Sequence, residues 1–294
     1  MKFGVAPIWR GLGFHTRFPP REFGALGADR KARLAPGQPR GNSMSDFDRN
    51  FATARPGYRA DQVAIDAGLR AYMIRVYNYM TAGVALTGLV AWFTFSAAVT
   101  DVGGALQLTS FGQAIFQSPL LWVLVLAPLG LVFALSFGIN RLSAGTALLL
   151  FFVYAGLLGL SLASIFLVYT HASITRVFFI SAATFGAMSL YGYTTQRDLT
   201  GIGSFMFMGL IGIIIASLVN IFLKSTGLDW AISVIGVLVF VGLTAYDTQR
   251  IKEMYNVQDD GTVTGRKAVM GALSLYLDFI NLFLMLLRLF GDRR

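Results

Sequence analysis

Two acids stand where this chain is otherwise apolar. Asp278 lies in the middle of the last apolar stretch, Ala268 to Phe290, within Leu273-Ser274-Leu275-Tyr276-Leu277-Asp278-Phe279-Ile280-Asn281-Leu282-Phe283. Asp247 ends the apolar segment before it, in Leu243-Thr244-Ala245-Tyr246-Asp247-Thr248-Gln249-Arg250. A carboxylate near a bilayer centre costs about 2.5 to 3.5 kcal/mol on insertion scales, so Asp278 should face protein or a wet cavity and have a partner. Asp247 is the best candidate. Two carboxyls at hydrogen-bond distance away from water do not both ionise; they share a proton and titrate as a unit, which makes a pH-sensitive latch between two helices. In the blander reading Asp247 caps its helix in interfacial water beside Arg250 and Lys252, and Asp278 alone is buried. Pairing also sets a geometric condition, because Asp278 lies ten residues into its run: the preceding helix must continue inward of the interface, or the 248–267 loop must fold over a funnel.

At helical spacing Gly271, Ser274, Asp278, Asn281 and Met285 share one stripe, which such a helix turns inward. Ca²⁺ takes six to eight oxygen ligands. Asp247 and Asp278 with Ser274, Asn281, backbone carbonyls and water supply a transient site of that kind, so these four residues mark a cation path. Arg141, in Phe137-Gly138-Ile139-Asn140-Arg141-Leu142-Ser143, is the only charge between Asp101 and Arg176. It is either a head-group anchor or a countercharge competing for the two carboxylates. Ser161, Ser164, Ser217 and Asn220 read as interhelical hydrogen-bond partners, and His171 as a loop residue at the outer end of its helix. No cysteine is present and the only histidines are His15 and His171, which removes thiolate chemistry and a histidine-rich metal site. No cofactor is implied beyond a passing Ca²⁺.

The elements that position these residues follow from hydropathy. The chain has 294 residues, 55% hydrophobic against 13% charged, and a mean hydropathy of +0.62, outside the range of soluble domains. From Val76 onward charges fall at the edges of seven apolar runs, at 76–99, 119–138, 144–168, 175–194, 203–223, 230–247 and 268–290. Each approaches the ~20 residues that a ~30 Å hydrocarbon core needs. Only helices satisfy their own backbone groups there, so the class is an all-α integral membrane protein with seven transmembrane helices. Small residues at four-residue spacing, as in Gly212 to Ala216 and Ala182 to Gly186, serve close helix packing.

Arginine and lysine give the expected orientation. Arg49, Arg55, Arg59, Arg70 and Arg75 precede the first run, residues 100–118 contain no basic residue, and Arg250, Lys252, Arg266 and Lys267 lie between the last two runs. This predicts a cytoplasmic N-terminus and, with seven spans, an external C-terminus. Arg293 and Arg294 disagree with that rule, which leaves the last run either a full span or a re-entrant segment.

Residues 1–70 contain no span and no secretory h-region, and read as a disordered basic segment ahead of a 71–294 membrane domain. Residues 1–43 carry eight basic and two acidic residues, six of the nine net positive charges. The break at Met44 predicts that translation begins there, the alternative being a solvated basic arm on the anionic inner leaflet. The net charge of +9 belongs to this segment and to loops rather than to a folded face, so no nucleic-acid partner is expected. The lipid bilayer is.

With Tyr246-Asp247 and the Ser274 to Phe283 stretch in place, the chain resembles the Bax inhibitor-1 family, the transmembrane Bax-inhibitor-motif proteins, and looks like a bacterial member over about residues 70–292. The resemblance implies a C-terminal helix at the centre, wrapped by six others in two three-helix layers. It implies a pH-sensitive calcium leak of the inner membrane, gated by a hydrogen-bonded aspartate pair that maps onto Asp247 and Asp278, with Arg141 the nearest match to a basic residue that approaches it. Some bacterial relatives are instead modulators of a membrane-bound AAA protease, so a non-conducting regulator is the alternative, with a membrane protease complex as partner. Intramembrane aspartyl proteases also place acids on their sixth and seventh helices. They need Gly-x-Gly-Asp where this chain has Leu275-Tyr276-Leu277-Asp278, and no Pro-Ala-Leu follows, so an enzyme is not expected.

Overall fold

In hydrocarbon every peptide group must find its partner inside its own segment, and the apolar runs accordingly become helices. The computed structural model describes residues 56–102 and 105–294. Helix α1 (Pro56–Ala98) leads into an antiparallel hairpin, β1 (Val99–Val102) and β2 (Ala105–Leu108), and then a short α2 (Ser110–Phe116). Helix α3 (Leu120–Gly138) passes through a 3₁₀ turn, Ile139–Arg141, into α4 (Ala144–Leu162), whose line α5 (Ile165–Val168) continues. Helices α6 (His171–Thr194), α7 (Thr200–Leu223), α8 (Thr226–Glu253) and α9 (Gly261–Phe290) complete the order. Among the described residues seven segments are long and apolar enough to cross a bilayer, the class that the hydropathy predicts.

Side-chain caps punctuate them. Ser143, Thr170, Ser225 and Asp260 each accept a backbone N–H from the first turn of the helix that follows. Asn220 is a terminator rather than an interhelical contact: its carbonyl accepts from the Lys224 N–H and its side-chain oxygen from the Ser225 N–H, across the left-handed Lys224 (φ 50°).

The helices outrun the apolar runs. The sixth run, expected at 230–247, is α8 from Thr226 to Glu253; the seventh, expected at 268–290, is α9 from Gly261. Hydropathy sees only the part matched to lipid, whereas the backbone ladder continues into water through Arg250, Lys252, Arg266 and Lys267. At the front, α1 begins at Pro56, so the boundary expected at residue 70 falls inside one continuous helix. The expectations for residues 1–55, including a start at Met44, lie outside the described residues.

Burial ranks the spans. Within its membrane-length window α9 is 72% buried, against 6% for α7. Its main packing partners are α8, α1, α6, α4 and the 3₁₀ turn, while α7 leans chiefly on α8 and α3 on α4. Four of the six other spans, α8, α1, α6 and α4, thus pack on the last helix. At 30 residues, roughly 45 Å, α9 is unbroken and longer than the hydrocarbon core, which fits a full span and not a re-entrant segment. The residues after it dock on the turn between α5 and α6: the Thr170 N–H donates to Asp292 O (3.0 Å), the Arg294 N–H to Val168 O (2.9 Å), and Arg176 pairs with Asp292 (3.0 Å). Arg293 and Arg294 therefore lie at the end of the bundle opposite the α8–α9 loop.

Candidate functional site

The acids sit on the seam between α8 and α9, and glycines set its register. A Cβ on Gly271 would stand 3.0 Å from Ile251, and one on Gly236 would stand 2.8 Å from Met285, so the helices run antiparallel with little between them. In that register Asp278 falls beside Leu243 and Thr244, and Asp247 beside Ser274, about 5 Å or one helical turn away along the axis. The geometric condition is met because α8 runs six residues past Asp247 before it ends at Glu253.

Asp278 is 5% exposed, and its Oδ2 has no hydrogen-bond partner among the described residues. Asp247 is half-buried and is the acid whose field reaches Asp278. Here the structure differs from the expected hydrogen-bonded pair: among the described residues no direct bond joins the two carboxyls. The turn-wide offset is the reason.

Arg141 is exposed in the 3₁₀ turn, which packs on α9, but no ion pair or hydrogen bond links it to either acid. The cation whose field reaches Asp247 is Arg250, three residues on and on the same helical face. Ser274 is half-buried on the seam. Asn281 is half-buried too; its Nδ2 donates to Leu277 O (2.8 Å), and it lines a crevice with Ser217, Phe240 and Met285. The structure therefore places Asp247, Asp278 and Ser274 together, Asn281 about one turn further along α9, and Arg141 apart.

A hydroxyl ladder that the sequence reading missed approaches the acids from the side. Tyr77 Oη meets Ser189 Oγ at 2.5 Å, Ser189 Oγ meets Thr248 Oγ1 at 2.9 Å, and Thr248 donates to Thr244 O at 2.8 Å. Thr244 and Thr248 are both fully buried. Their four-residue spacing around Asp247 was the available signal, since it puts both hydroxyls on one helical face. The backbone here is clamped: Gly192 of α6 presses on the Ala245 main chain, and Gly203 of α7 lies under the Tyr246 ring.

The α8–α9 loop closes this end of the seam. Lys267 Nζ donates to Asp259 (2.5 Å) and to Met254 O (2.9 Å), and the Tyr255 ring lies 5.5 Å from that of Tyr72 on α1. Among the described residues no three His, Cys, Asp or Glu side chains gather as a metal site.

A family model described as "Inhibitor of apoptosis-promoting Bax1" matches residues 69–294. The chain is similar to inner membrane protein YbhL of Escherichia coli K12, 53% identical over 230 residues, which cover 78% of this chain and 94% of that protein. It is 51% identical to the uncharacterized protein RP147 of Rickettsia prowazekii over 251 residues, 85% of this chain and all of the relative. With the uncharacterized protein YrjE of Lactococcus lactis it shares 40% over 225 residues, 76% and 92% of the two chains.

Proposed function

The chain belongs to the Bax inhibitor-1 family of membrane proteins, and on that premise we propose that it is a pH-sensitive calcium leak of the inner membrane, gated by the Asp247–Asp278 pair. The observation that carries this reading is the unpartnered Asp278 Oδ2, buried in the most enclosed span with a second acid one turn away. A buried carboxylate without a partner is costly, and a proton shared by the acids across the one-turn offset, through a bridging water, removes that cost. With one proton on the pair, α8 and α9 stay closed. When both ionise, like charges face each other in a dry seam, and repulsion or a captured cation loosens the two helices.

The carboxylates, Ser274 and the carbonyls of the seam then supply hard oxygen ligands for Ca²⁺ as it passes, with Asn281 further along the same stripe. The N-terminus lies in the cytoplasm, which puts the α8–α9 loop and Arg250 there and the docked C-terminus outside, following the distribution of basic residues. Arg250 is the countercharge of the pair. The protein performs no covalent chemistry in this reading.

Purified protein in calcium-loaded liposomes tests the reading. The expected result is a calcium flux that varies with pH and loses that variation in Asp278→Asn. A chain that conducts nothing at any pH, while co-purifying with a membrane protease, would replace it with a regulatory role.

A further inference from the structure

Helices α1 and α6 both pack on α9 but barely on each other, and the contact between the Tyr77 and Ser189 hydroxyls joins them. A cleft runs between them. Its first part is a cavity of about 410 Å³, with Arg70, Ile74 and Tyr77 of α1 on one wall and Phe185, Ser189 and Tyr193 of α6 on the other. This is the α8–α9 loop end of the bundle, since Arg70 stands between Gly68 and Tyr72, the two α1 residues that meet Tyr255 of that loop. A second part of about 190 Å³ shares Tyr77 and Phe185 with the first and continues to Val84 and Phe178, over Phe279 of α9. Positions 70, 74, 77, 81 and 84 of α1 lie on one helical face, as do 178, 182, 185, 189 and 193 of α6, so each helix turns a single stripe toward the cleft.

The polar groups of the cleft are unequally used. Tyr77 and Ser189 bond each other at 2.5 Å, and Ser189 also meets Thr248. Arg70 is exposed and has no ion pair or hydrogen bond among the described residues. No acid lines either part of the cleft. Lys252 adds positive charge behind the α6 wall: its Nζ donates to Tyr193 O (2.9 Å) and lies 5.4 Å from the centre of the Tyr193 ring. At Gly186, also on the wall, a Cβ would meet nothing within 4 Å, so the protein's own side chains leave the space open. Past Val84 and Phe178 the cleft reaches a cavity of about 410 Å³, where His171, read from sequence as a loop residue and in fact the first residue of α6, stands edge-on to Trp92 (5.5 Å) and Phe95 (5.4 Å) in an aromatic wall. No Lys, Arg, Asp or Glu lines that cavity, so the charged end of the cleft is the Arg70 end.

We propose that the cleft between α1 and α6 is a binding site for one anionic glycerophospholipid, with its phosphate on Arg70 and one acyl chain laid along the two stripes. Length fits this occupant. Arg70 and Val84 are fourteen residues apart, roughly 21 Å along α1, which matches one leaflet with its head groups, half of the ~40 to 45 Å bilayer. Charge fits it as well, because a guanidinium gives a phosphodiester two parallel N–H bonds, whereas the ammonium of a zwitterionic head group finds no acid in the lining. A third helix, about 10 Å across, has no room between walls that are joined by a hydrogen bond. The site lies apart from the acid seam and does not depend on the leak reading.

Native mass spectrometry of the full-length protein in detergent, titrated with dioleoyl phosphatidylglycerol, dioleoyl phosphatidylethanolamine or dioleoylglycerol, tests the proposal. The expected result is one saturable phosphatidylglycerol site, with the zwitterionic lipid bound more weakly and the phosphate-free lipid most weakly. Arg70→Gln should weaken phosphatidylglycerol binding roughly tenfold and leave dioleoylglycerol unchanged, as expected for lost hydrogen bonds to a charged group, and Arg70→Lys should restore part of the loss. Arg75→Gln, on α1 but outside the cleft lining, should bind as wild type does. Gly186→Trp fills the cleft and should abolish binding. A phosphatidylglycerol carrying a diazirine on its acyl chain should label residues 77–84 and 178–189. Equal affinities for the three lipids, equal binding in Arg70→Gln and Arg75→Gln, labelling spread over lipid-facing α7, or a dimer mass in place of bound lipid that Gly186→Trp removes would each overturn the proposal.

Discussion

The two sides of α9 treat glycine in opposite ways. On the α8 side, Gly236 is filled by Met285 and Gly271 by Ile251, and behind that seam Gly192 sits hard against the Ala245 main chain. On the α1–α6 side, Gly88 and Gly186 face open space, each on the wall of a cavity of about 410 Å³. In the first case the missing side chain lets two backbones close over Asp278, which is 5% exposed. In the second it leaves room that the protein does not use itself. A glycine in a membrane helix is thus a packing device or a vacancy according to what lies across from it, and only the seam with filled glycines can hold a carboxylate dry.

The largest expected effect contrasts these directly. Gly192→Leu has to displace the backbone of α8 beside Asp247, so a loss of about 3 kcal/mol, the upper end of overpacking costs, is expected. At Gly186 an added Cβ meets nothing within 4 Å, so Gly186→Leu should leave the melting temperature of the detergent-purified protein nearly unchanged. Equal melting temperatures for the two variants would erase the distinction.

The seam's chemistry gives the next test. Asp247→Asn and Asp278→Asn each remove one titrating group, so each should flatten the pH dependence of calcium flux about as much as the double change does. Two single effects that simply add would mean that the acids act independently.

Tyr276→Phe has a smaller reach. It removes the 2.6 Å contact with Thr87 but leaves Thr87 two carbonyl partners, so about 1 kcal/mol of stability should be lost, read as a modest drop in melting temperature.

Outside the membrane the effects become smaller still. Arg176→Gln breaks an exposed pair with Asp292, and its effect on stability should stay below about 1 kcal/mol and vanish in high salt. Asp198, in the loop before α7, has its carboxyl held below the usual carboxylate value by hydrogen bonds from Thr200. Because the folded value is the lower one, its contribution is present above the ordinary carboxylate range and is lost as pH falls through the folded value. Asp198→Ala should therefore melt slightly below wild type near neutral pH and coincide with it in strong acid.

What the sequence determined by itself is whatever hydropathy and local spacing control. Seven membrane-length runs could become nothing but helices, because lipid offers the backbone no other partner. Asp278 could not face lipid, and the stripe from Gly271 to Met285 does turn toward α8. The helix ends past Asp247 and before Ala268 escaped that reading because charged turns stand in water, where hydropathy carries no signal. Tertiary structure alone decided that Asp247 and Asp278 lie a turn apart without a direct bond, that Arg141 stands apart from both acids, and that Ser189 and Tyr77 extend a hydroxyl ladder to Thr248. It also decided that His171 lies in an aromatic wall. Each of these depends on which face of one helix meets which face of another, over separations such as the 112 residues between Tyr77 and Ser189. Periodicity within a segment shows which residues share a face, but not what stands opposite.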